Sequence, residues 1–346
     1  MSDRPPVTQR DVARVCGVHP STICLALNNS PSIPLATRQR VQAVAAELGY
    51  RPNVAARNLA LLRGDKQASG SLPIAWINQE TERNHWRTDP RASVYFESAR
   101  RRAAELGFHL EEMWTHEPGM SVARLAQIVR ARGIEGVLFP VHRRFEFSLL
   151  TTAWNDFALV GLNDHRLSEW VDIVCPDYYR NTETILRETR TSGYQRVGLA
   201  LTAQLDAASN GLVHSCFLRQ QADIPSVERV PACFLGDDPE SSQFAFEEWL
   251  LEYQPAVVVT SESMLVSRAR AAGFTAVWLG LTGATLPFDG GIDENLGEVS
   301  GAAVDCVVDK MRRFEKGIRE STRLHLLKSA WVQPCVVQLD RETVVA

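Results

Sequence analysis

Five side chains near the N-terminus have the types and the spacing needed to read DNA. If residues 20–28 are helical, Pro20, Ser21, Thr22, Leu25 and Asn28 project outward from one helix. Hydroxyl and amide groups on such a face can hydrogen-bond base edges and phosphates in a major groove. The pattern therefore favours a helix that binds nucleic acid.

A short helix is predicted just before this face. Thr8 and Asp11 have the spacing of an N-cap and its acidic partner in the first turn. On this short helix, one apolar face should be formed by Val12, Val15 and Cys16.

A tight turn should join this helix to the next. Gly17 can adopt a positive φ at the end of the first helix, and Pro20 suits the first turn of the second. The inward side of the second helix is formed by Ile23, Ala26 and Leu27. A helix-turn-helix needs a small residue at the crossing, a glycine and branched apolar residues, and these are Ala13, Gly17, Val18 and Ile23. An ordinary helical hairpin in a larger fold is the alternative interpretation.

The charge distribution separates this segment from the rest of the chain. Residues 1–63 contain eight basic and three acidic residues, a net charge of +5, which leaves −9 for the remainder of a chain whose total is −4. A small basic module on an acidic body is typical of a nucleic-acid-binding arm, although a solvated charged face would look similar.

Two further helical segments follow. Residues 35–48 repeat apolar groups at Val41, Val44, Ala45 and Leu48, which predicts a third, amphipathic helix closed by Gly49. After Pro52, residues 53–60 could form only one or two helical turns, which are too short to be stable alone.

Together these segments resemble the DNA-binding headpiece and hinge of the lactose-repressor/galactose-repressor (LacI/GalR) family. The resemblance is carried by VTQRDVARVCGV, STICLALNN, IPLATRQRVQAVAAELGYRPN and NVAARNLA. It implies a homodimer that binds a palindromic operator in double-stranded DNA, with a hinge leucine, Leu59, wedged into the minor groove. The DNA-contacting set that it implies is Thr8, Gln9, Arg10, His19, Pro20, Ser21, Thr22, Leu25, Asn28, Asn29, Thr37, Tyr50, Asn53, Ala56, Arg57 and Leu59.

The headpiece departs from the family pattern at three positions. His19 and Cys24 stand where the family usually has Ser, and Leu25 stands where it often has Arg. Because a guanine-reading arginine is missing at position 25, we expect a different preferred operator.

From Leu72 onward, apolar runs alternate with helical stretches, as in a parallel sheet wrapped by helices. The predicted strands are LPIAWIN, FHLEEMW, IEGVLFP, FALVGLN, VDIVCP, RVGLALT, ERVPACF, AVVVTS and AVWLGL. The predicted helices lie near 92–106, 121–132, 178–192, 208–221, 241–253, 262–272 and 295–314, before a strand-like SAWVQPCVVQL.

The predicted fold class is α/β, with an all-α helix-turn-helix headpiece and hinge helix ahead of a two-lobed core. That core resembles the periplasmic-binding-protein-like body of the same family, with two parallel-sheet α/β subdomains. We expect the headpiece and hinge in residues 1–63, with the hinge helix at about 52–61, and the effector-binding and dimerisation core in 72–346. The predicted boundaries are about 72–171 and 295–320 for the N-lobe, and about 172–292 and 321–346 for the C-lobe.

In such folds a ligand binds beyond the carboxyl ends of the strands, between the lobes. The candidate effector-binding residues are Asn78, His142, Asp164, Ser261, Glu262 and Thr282. TSES, LGLTG and DAASNGLVHS differ from the polar groups of the sugar-binding members, so the effector stays open between a sugar and another small molecule.

Other classes of function are disfavoured. Seven scattered cysteines without a C-x-x-C pair, and eight histidines without a ligand spacing, predict neither a metal site nor a cofactor. A phosphate loop, a dinucleotide fingerprint and a nucleophile elbow are all missing, which argues against an α/β enzyme. The start of the sequence has no secretory pattern, which argues against a solute-binding protein of a transport system, and no apolar run suits a membrane. We therefore expect a cytoplasmic, nucleoid-associated regulator, most simply a repressor.

Overall fold

The protein is described by a computed structural model that covers residues 7–27, 33–48, 71–140, 147–236, 238–281 and 290–332. The chain divides into two compact units, Met1–Gly70 and Ser71–Ala346. Across these ranges, the structure contains no helix that is both long and apolar enough to cross a membrane.

The described part of the N-terminal unit consists of helices α1 (Gln9–Cys16), α2 (Pro20–Leu27) and α3 (Leu35–Glu47). The predicted cap is confirmed, because the Thr8 side chain accepts from the Asp11 amide and the Asp11 carboxylate accepts from the Thr8 amide at 2.9 Å. Gly17 ends α1 in the left-handed region, with φ 64°. The helices enclose a small core formed by Val12, Ala13, Cys16, Ile23, Ala26, Val41 and Ala45.

The expected burial of Val15 is wrong, because 58% of this residue is exposed. Val12, Ala13 and Cys16 are buried, so the centre of the buried stripe lies between Val12 and Ala13. At roughly 100° per residue, Val15 points about 110° away from that centre, which is nearly a third of a turn. Two short partner helices cover only this narrow stripe.

The first lobe of the body is a six-stranded sheet in the order β11-β5-β4-β3-β1-β2, and all its pairs are parallel. Its strands are β1 (Leu72–Asn78), β2 (Phe108–Trp114), β3 (Gly136–Phe139), β4 (Ala158–Leu162), β5 (Asp172–Pro176) and β11 (Leu324–Leu327). Its helices are α4 (His85–Thr88), α5 (Pro90–Glu105), α6 (Val122–Ala131) and α12 (Leu296–Arg313). Helices α5 and α12 pack on one face of the sheet, and α6 packs on the other.

The second lobe is a six-stranded sheet in the order β12-β10-β9-β8-β6-β7, parallel except for the antiparallel pair β10 and β12. Its strands are β6 (Val197–Thr202), β7 (Cys233–Leu235), β8 (Val257–Thr260), β9 (Thr275–Leu281), β10 (Gly291–Asp293) and β12 (Ala330–Val332). Its helices are α7 (Tyr178–Thr191), α8 (Ala203–Ala208), α9 (Leu212–Ala222), α10 (Pro239–Tyr253) and α11 (Ser263–Ala271).

The predicted lobe boundaries need correction at two strands. The sequence predicts residues 172–176 and 324–327 in the C-lobe, but β5 and β11 pair with each other inside the first sheet, with Leu324 opposite Ile173. A buried ion pair fixes this edge, because Lys310 of α12 contacts Asp172 at 2.7 Å with 3% and 1% of the side chains exposed. The chain therefore changes lobe three times, after β5, between β10 and α12, and after β11.

Two predicted elements differ in their extent. The helix expected near 208–221 begins only at Leu212, as α9, because Asn210 and Gly211 before it both have positive φ and separate it from α8. The strand-like segment SAWVQPCVVQL contributes β12, and its residues after 332 lie outside the described ranges.

Candidate DNA-binding surface and interlobe cleft

Helix α2 presents polar and apolar groups on its outer side. Ser21 and Leu25 are exposed, and 42% of Leu25 is accessible, whereas Ile23 and Ala26 are buried against α1 and α3. Pro20 and Thr22 are half-buried at the margin of this outer side. The α2 face therefore offers hydroxyl groups and one aliphatic side chain from a helix that is fixed by its inner side.

His19 forms the N-terminal end of this face. Its ring Nδ1 lies 2.8 Å from the Ser21 hydroxyl and 3.3 Å from the Ser21 amide, so the exposed imidazole caps the first turn of α2. His19 therefore holds Ser21 in place, which is a role that the sequence did not reveal.

The other described members of the DNA-contacting set lie at the N-terminal ends of α1 and α3. Thr8 and Arg10 are exposed, Gln9 begins α1, and Thr37 is half-buried in the first turn of α3. The Thr8 hydroxyl donates to the Asp11 carboxylate at 2.6 Å, and hydrogen bonds from Thr8 lower the pKa of Asp11. Thr8 thus fixes the start of α1.

Several predicted site residues lie outside the described ranges. They are Asn28, Asn29, Tyr50, Asn53, Ala56, Arg57 and Leu59 of the DNA-contacting set, and His142 and Thr282 of the effector set. The hinge helix expected at about 52–61 also falls there.

Two predicted effector residues are tied into the first lobe. The Asn78 amide donates to the Arg83 carbonyl at 2.9 Å and to Glu112 Oε1 at 2.6 Å, and its oxygen accepts from the Glu80 amide. Both N–H groups of Asn78 are therefore used within the lobe.

Asp164 is likewise engaged. It is fully buried and bound by the Arg166 guanidinium at 2.6 Å, and it also accepts from the Arg166 amide at 3.0 Å. A ligand could bind this carboxylate only after it displaced the arginine.

The two candidates from the second lobe lie where β8 ends. Ser261 and Glu262 are half-buried, with the Ser261 hydroxyl 3.4 Å from Glu262 Oε1. Glu262 is the N-cap of α11, and no hydrogen bond from its side chain caps that helix. These two side chains keep more of their hydrogen-bonding capacity than Asn78 and Asp164.

A buried polar cluster at the junction of the lobes was missed by the sequence analysis. Asn163, in the left-handed region with φ 58°, donates to the Tyr95 hydroxyl at 2.5 Å and accepts from the Tyr178 hydroxyl at 2.7 Å. Arg91 contacts Glu294 at 2.6 Å. Burial raises the pKa of Tyr95 and of Tyr178, so both phenols are neutral hydrogen-bonding groups. The only sequence signal was the adjacent Asp164, because these partners are distant in the chain.

A buried thiol and imidazole, from Cys175 and His165, lie beside this cluster. The Cys175 thiol is 3.0 Å from His165 Nε2, and both residues are buried. Burial lowers the pKa of His165 and raises that of Cys175 to about 12, so the pair is neutral. Within the described ranges, no three His, Cys, Asp or Glu residues are grouped as a metal site would require.

Comparison with known proteins finds sequence matches to the N-terminal segment. A family model described as "Bacterial regulatory proteins, lacI family" matches residues 8–53. Similar relatives include the HTH-type transcriptional regulator MalR of Streptococcus pneumoniae, 44% identical over 54 residues, and catabolite control protein A of Priestia megaterium, 43% identical over 54 residues. Each alignment spans 16% of this chain and 16% of the relative.

Solved structures match almost the whole chain. The lac repressor dimer bound to operator and the anti-inducer ONPF has a TM-score of 0.56 at 17% identity, covering 95% of this chain and 98% of that chain. The complex of the transcriptional regulator CelR with cellobiose has a TM-score of 0.59 at 17% identity, covering 96% and 99%. At this identity the likeness establishes the fold, and it confirms the predicted fold class of a helix-turn-helix headpiece followed by a two-lobed α/β core.

Proposed function

We propose, because residues 8–53 match the model of the lacI family of bacterial regulatory proteins, that the chain is a sequence-specific transcriptional repressor acting at the nucleoid. It binds a palindromic operator in double-stranded DNA as a homodimer, so that each headpiece reads one half-site. A sugar-like small molecule between the two lobes modulates this binding.

The α2 face is the observation that carries the DNA-binding role. Ser21 and Leu25 are exposed on a helix whose inner residues are locked into a small core, so the outer groups have a fixed geometry. A major groove admits one helix, and fixed side chains on that helix meet base edges. The net charge of +5 on residues 1–63 favours contact with phosphates.

Two considerations support the effector. The body has a fold in which ligands bind between two lobes, and a structure with the same fold, CelR, is a complex with cellobiose. Ser261 and Glu262 supply hydroxyl and carboxylate groups where β8 ends, and such groups suit a polyhydroxylated ligand.

The test is in vitro selection of genomic DNA fragments by the full-length protein at a stated salt concentration. We expect a palindromic motif. Leu25→Arg should change the preferred base in each half-site, because arginine binds guanine with two hydrogen bonds. The matched control is Val15→Arg, which places the same charge at another exposed aliphatic position, on α1, and should leave the motif unchanged. Absence of any enriched motif, or an identical motif for wild type and Leu25→Arg, would refute the proposed reading by α2.

A second test addresses the hinge implied by the family resemblance. Leu59→Ala should weaken binding to the selected operator and spare most binding to random DNA, because only the bent operator uses an apolar wedge. Equal losses on both DNAs would contradict the wedge.

A further inference from the structure

The contact between the two lobes of the body includes hydrogen bonds between buried side chains. Tyr95 belongs to the apolar core of the first lobe, and Tyr178 belongs to the apolar core of the second. Asn163, which follows β4 of the first lobe, lies between their hydroxyl groups at 2.5 and 2.7 Å. The bond from Tyr178 to Asn163 therefore joins the lobes.

The conformation of Asn163 makes this bridge possible. Its φ of 58° lies in the left-handed region, which asparagine tolerates better than most other residues. Only 4% of Asn163 is exposed, so its amide has little access to water and needs partners in the protein. The Tyr95 hydroxyl accepts a hydrogen bond from this amide, and the Tyr178 hydroxyl donates one to it.

A second bond near this bridge holds a segment that connects the two lobes. Arg91, in the first turn of α5, contacts Glu294 at 2.6 Å, and Glu294 lies between β10 of the second lobe and α12 of the first. Glu294 is 3% exposed, whereas the Arg91 side chain is 36% exposed. Water can therefore reach this pair from the arginine side.

We propose that the Tyr95–Asn163–Tyr178 bridge and the Arg91–Glu294 pair form an interlobe latch, whose opening changes the angle between the lobes and thereby the affinity for DNA. The coupling to DNA rests on the proposed function, whereas the latch itself does not. A polar junction suits a reversible motion, because water can replace its hydrogen bonds when the lobes separate. Where a junction has two packed states with different hydrogen bonds, a ligand that binds one state better shifts the equilibrium towards it.

The latch is tested in the full-length protein by hydrogen exchange of peptides that cover residues 163–178 and 291–296. Tyr178→Phe removes one hydroxyl and keeps the ring, whereas Asn163→Gly removes the amide and keeps the left-handed backbone. The matched control is Tyr194→Phe, because the Tyr194 hydroxyl donates to Thr275 at 3.3 Å inside the second lobe. We expect exchange in these peptides to rise roughly 2- to 10-fold in both latch variants and to stay unchanged in the control.

Affinity for the selected operator is measured on the same proteins. The latch variants should change it several-fold in the same direction, and Tyr194→Phe should not change it. Unchanged exchange in both latch variants would overturn the latch, and raised exchange with unchanged operator affinity would overturn its coupling to DNA. If the wild-type protein selects no DNA, the proposed function and the coupling both fail, whereas the exchange measurement still decides the latch.

Discussion

The turn between α1 and α2 permits a quantitative test of the headpiece, through Gly17→Ala. Gly17 has φ 64°, and an added Cβ would find no atom within 4 Å outside the adjoining residues of the chain. The cost of the substitution is therefore almost entirely the left-handed backbone of an L-residue, about 1 to 2 kcal/mol. This is a large fraction of the stability that a core of seven small and medium side chains can provide.

We expect the unfolded fraction of the headpiece to rise roughly 5- to 30-fold, since 1 to 2 kcal/mol corresponds to that ratio. Hydrogen exchange of peptides covering residues 9–27 in the full-length protein measures it directly, and operator affinity should fall most at high temperature. Gly17→Asn should cost less, because asparagine tolerates the left-handed region.

The matched control is Gly133→Ala, which has φ 70° and equally open surroundings but lies after α6 in the body. It should cost a similar energy locally and leave exchange in residues 9–27 unchanged. The reasoning would be refuted if Gly17→Ala exchanged like the wild type, or if Gly133→Ala weakened operator binding as much.

Two predictions concern the body. Lys310→Met should destabilise the body by about 3 to 5 kcal/mol, because Asp172 then remains buried without its cation. Adding Asp172→Asn should recover part of this loss. Urea unfolding measures the free energy of unfolding of both variants, and strictly additive costs of the two substitutions would contradict the ion pair. Burial lowers the pKa of His165 below its ordinary value of 6.5, so the unfolded chain binds the proton more readily and stability should be lost as the pH falls below 6.5. The urea midpoints measured above and below that pH should differ less in His165→Gln than in the wild type. If the midpoint depends on pH equally in both proteins, His165 is not the cause of the stability loss.

Features set by neighbouring residues could be predicted from the sequence. The cap at Thr8 and Asp11, the left-handed Gly17 and the inward positions Ile23 and Ala26 all depend on contacts within a few residues or on helical periodicity. Most of the alternating strands and helices of the body follow from the same local patterns.

Features set by distant partners could not be predicted. Strands of four or five residues, such as β5 and β11, carry no local mark of the sheet that they join, and for this reason the predicted lobe boundaries are wrong at residues 172–176 and 324–327. The Asn163 amide meets a tyrosine 68 residues away, so the latch has no signature in sequence spacing. The positions of Asn78 and Asp164 at strand ends favour them as effector ligands, but other residues of the first lobe occupy their polar groups.

The assignment of α12 to the first lobe has a consequence for the order of folding. Its residues Leu296, Val299 and Val304 complete the core that β1, β4 and α5 begin, and they come after nearly all of the second lobe in the chain. During synthesis, the part of this sheet face that α12 covers therefore stays open while the second lobe is being made, and of these two helices only α5 packs on the face. Among the described strands, the second lobe lacks just the short edge strand β12 at that stage, so it can fold first although it is translated later. The first lobe is thus the part of the body most exposed to aggregation or chaperone binding before translation ends.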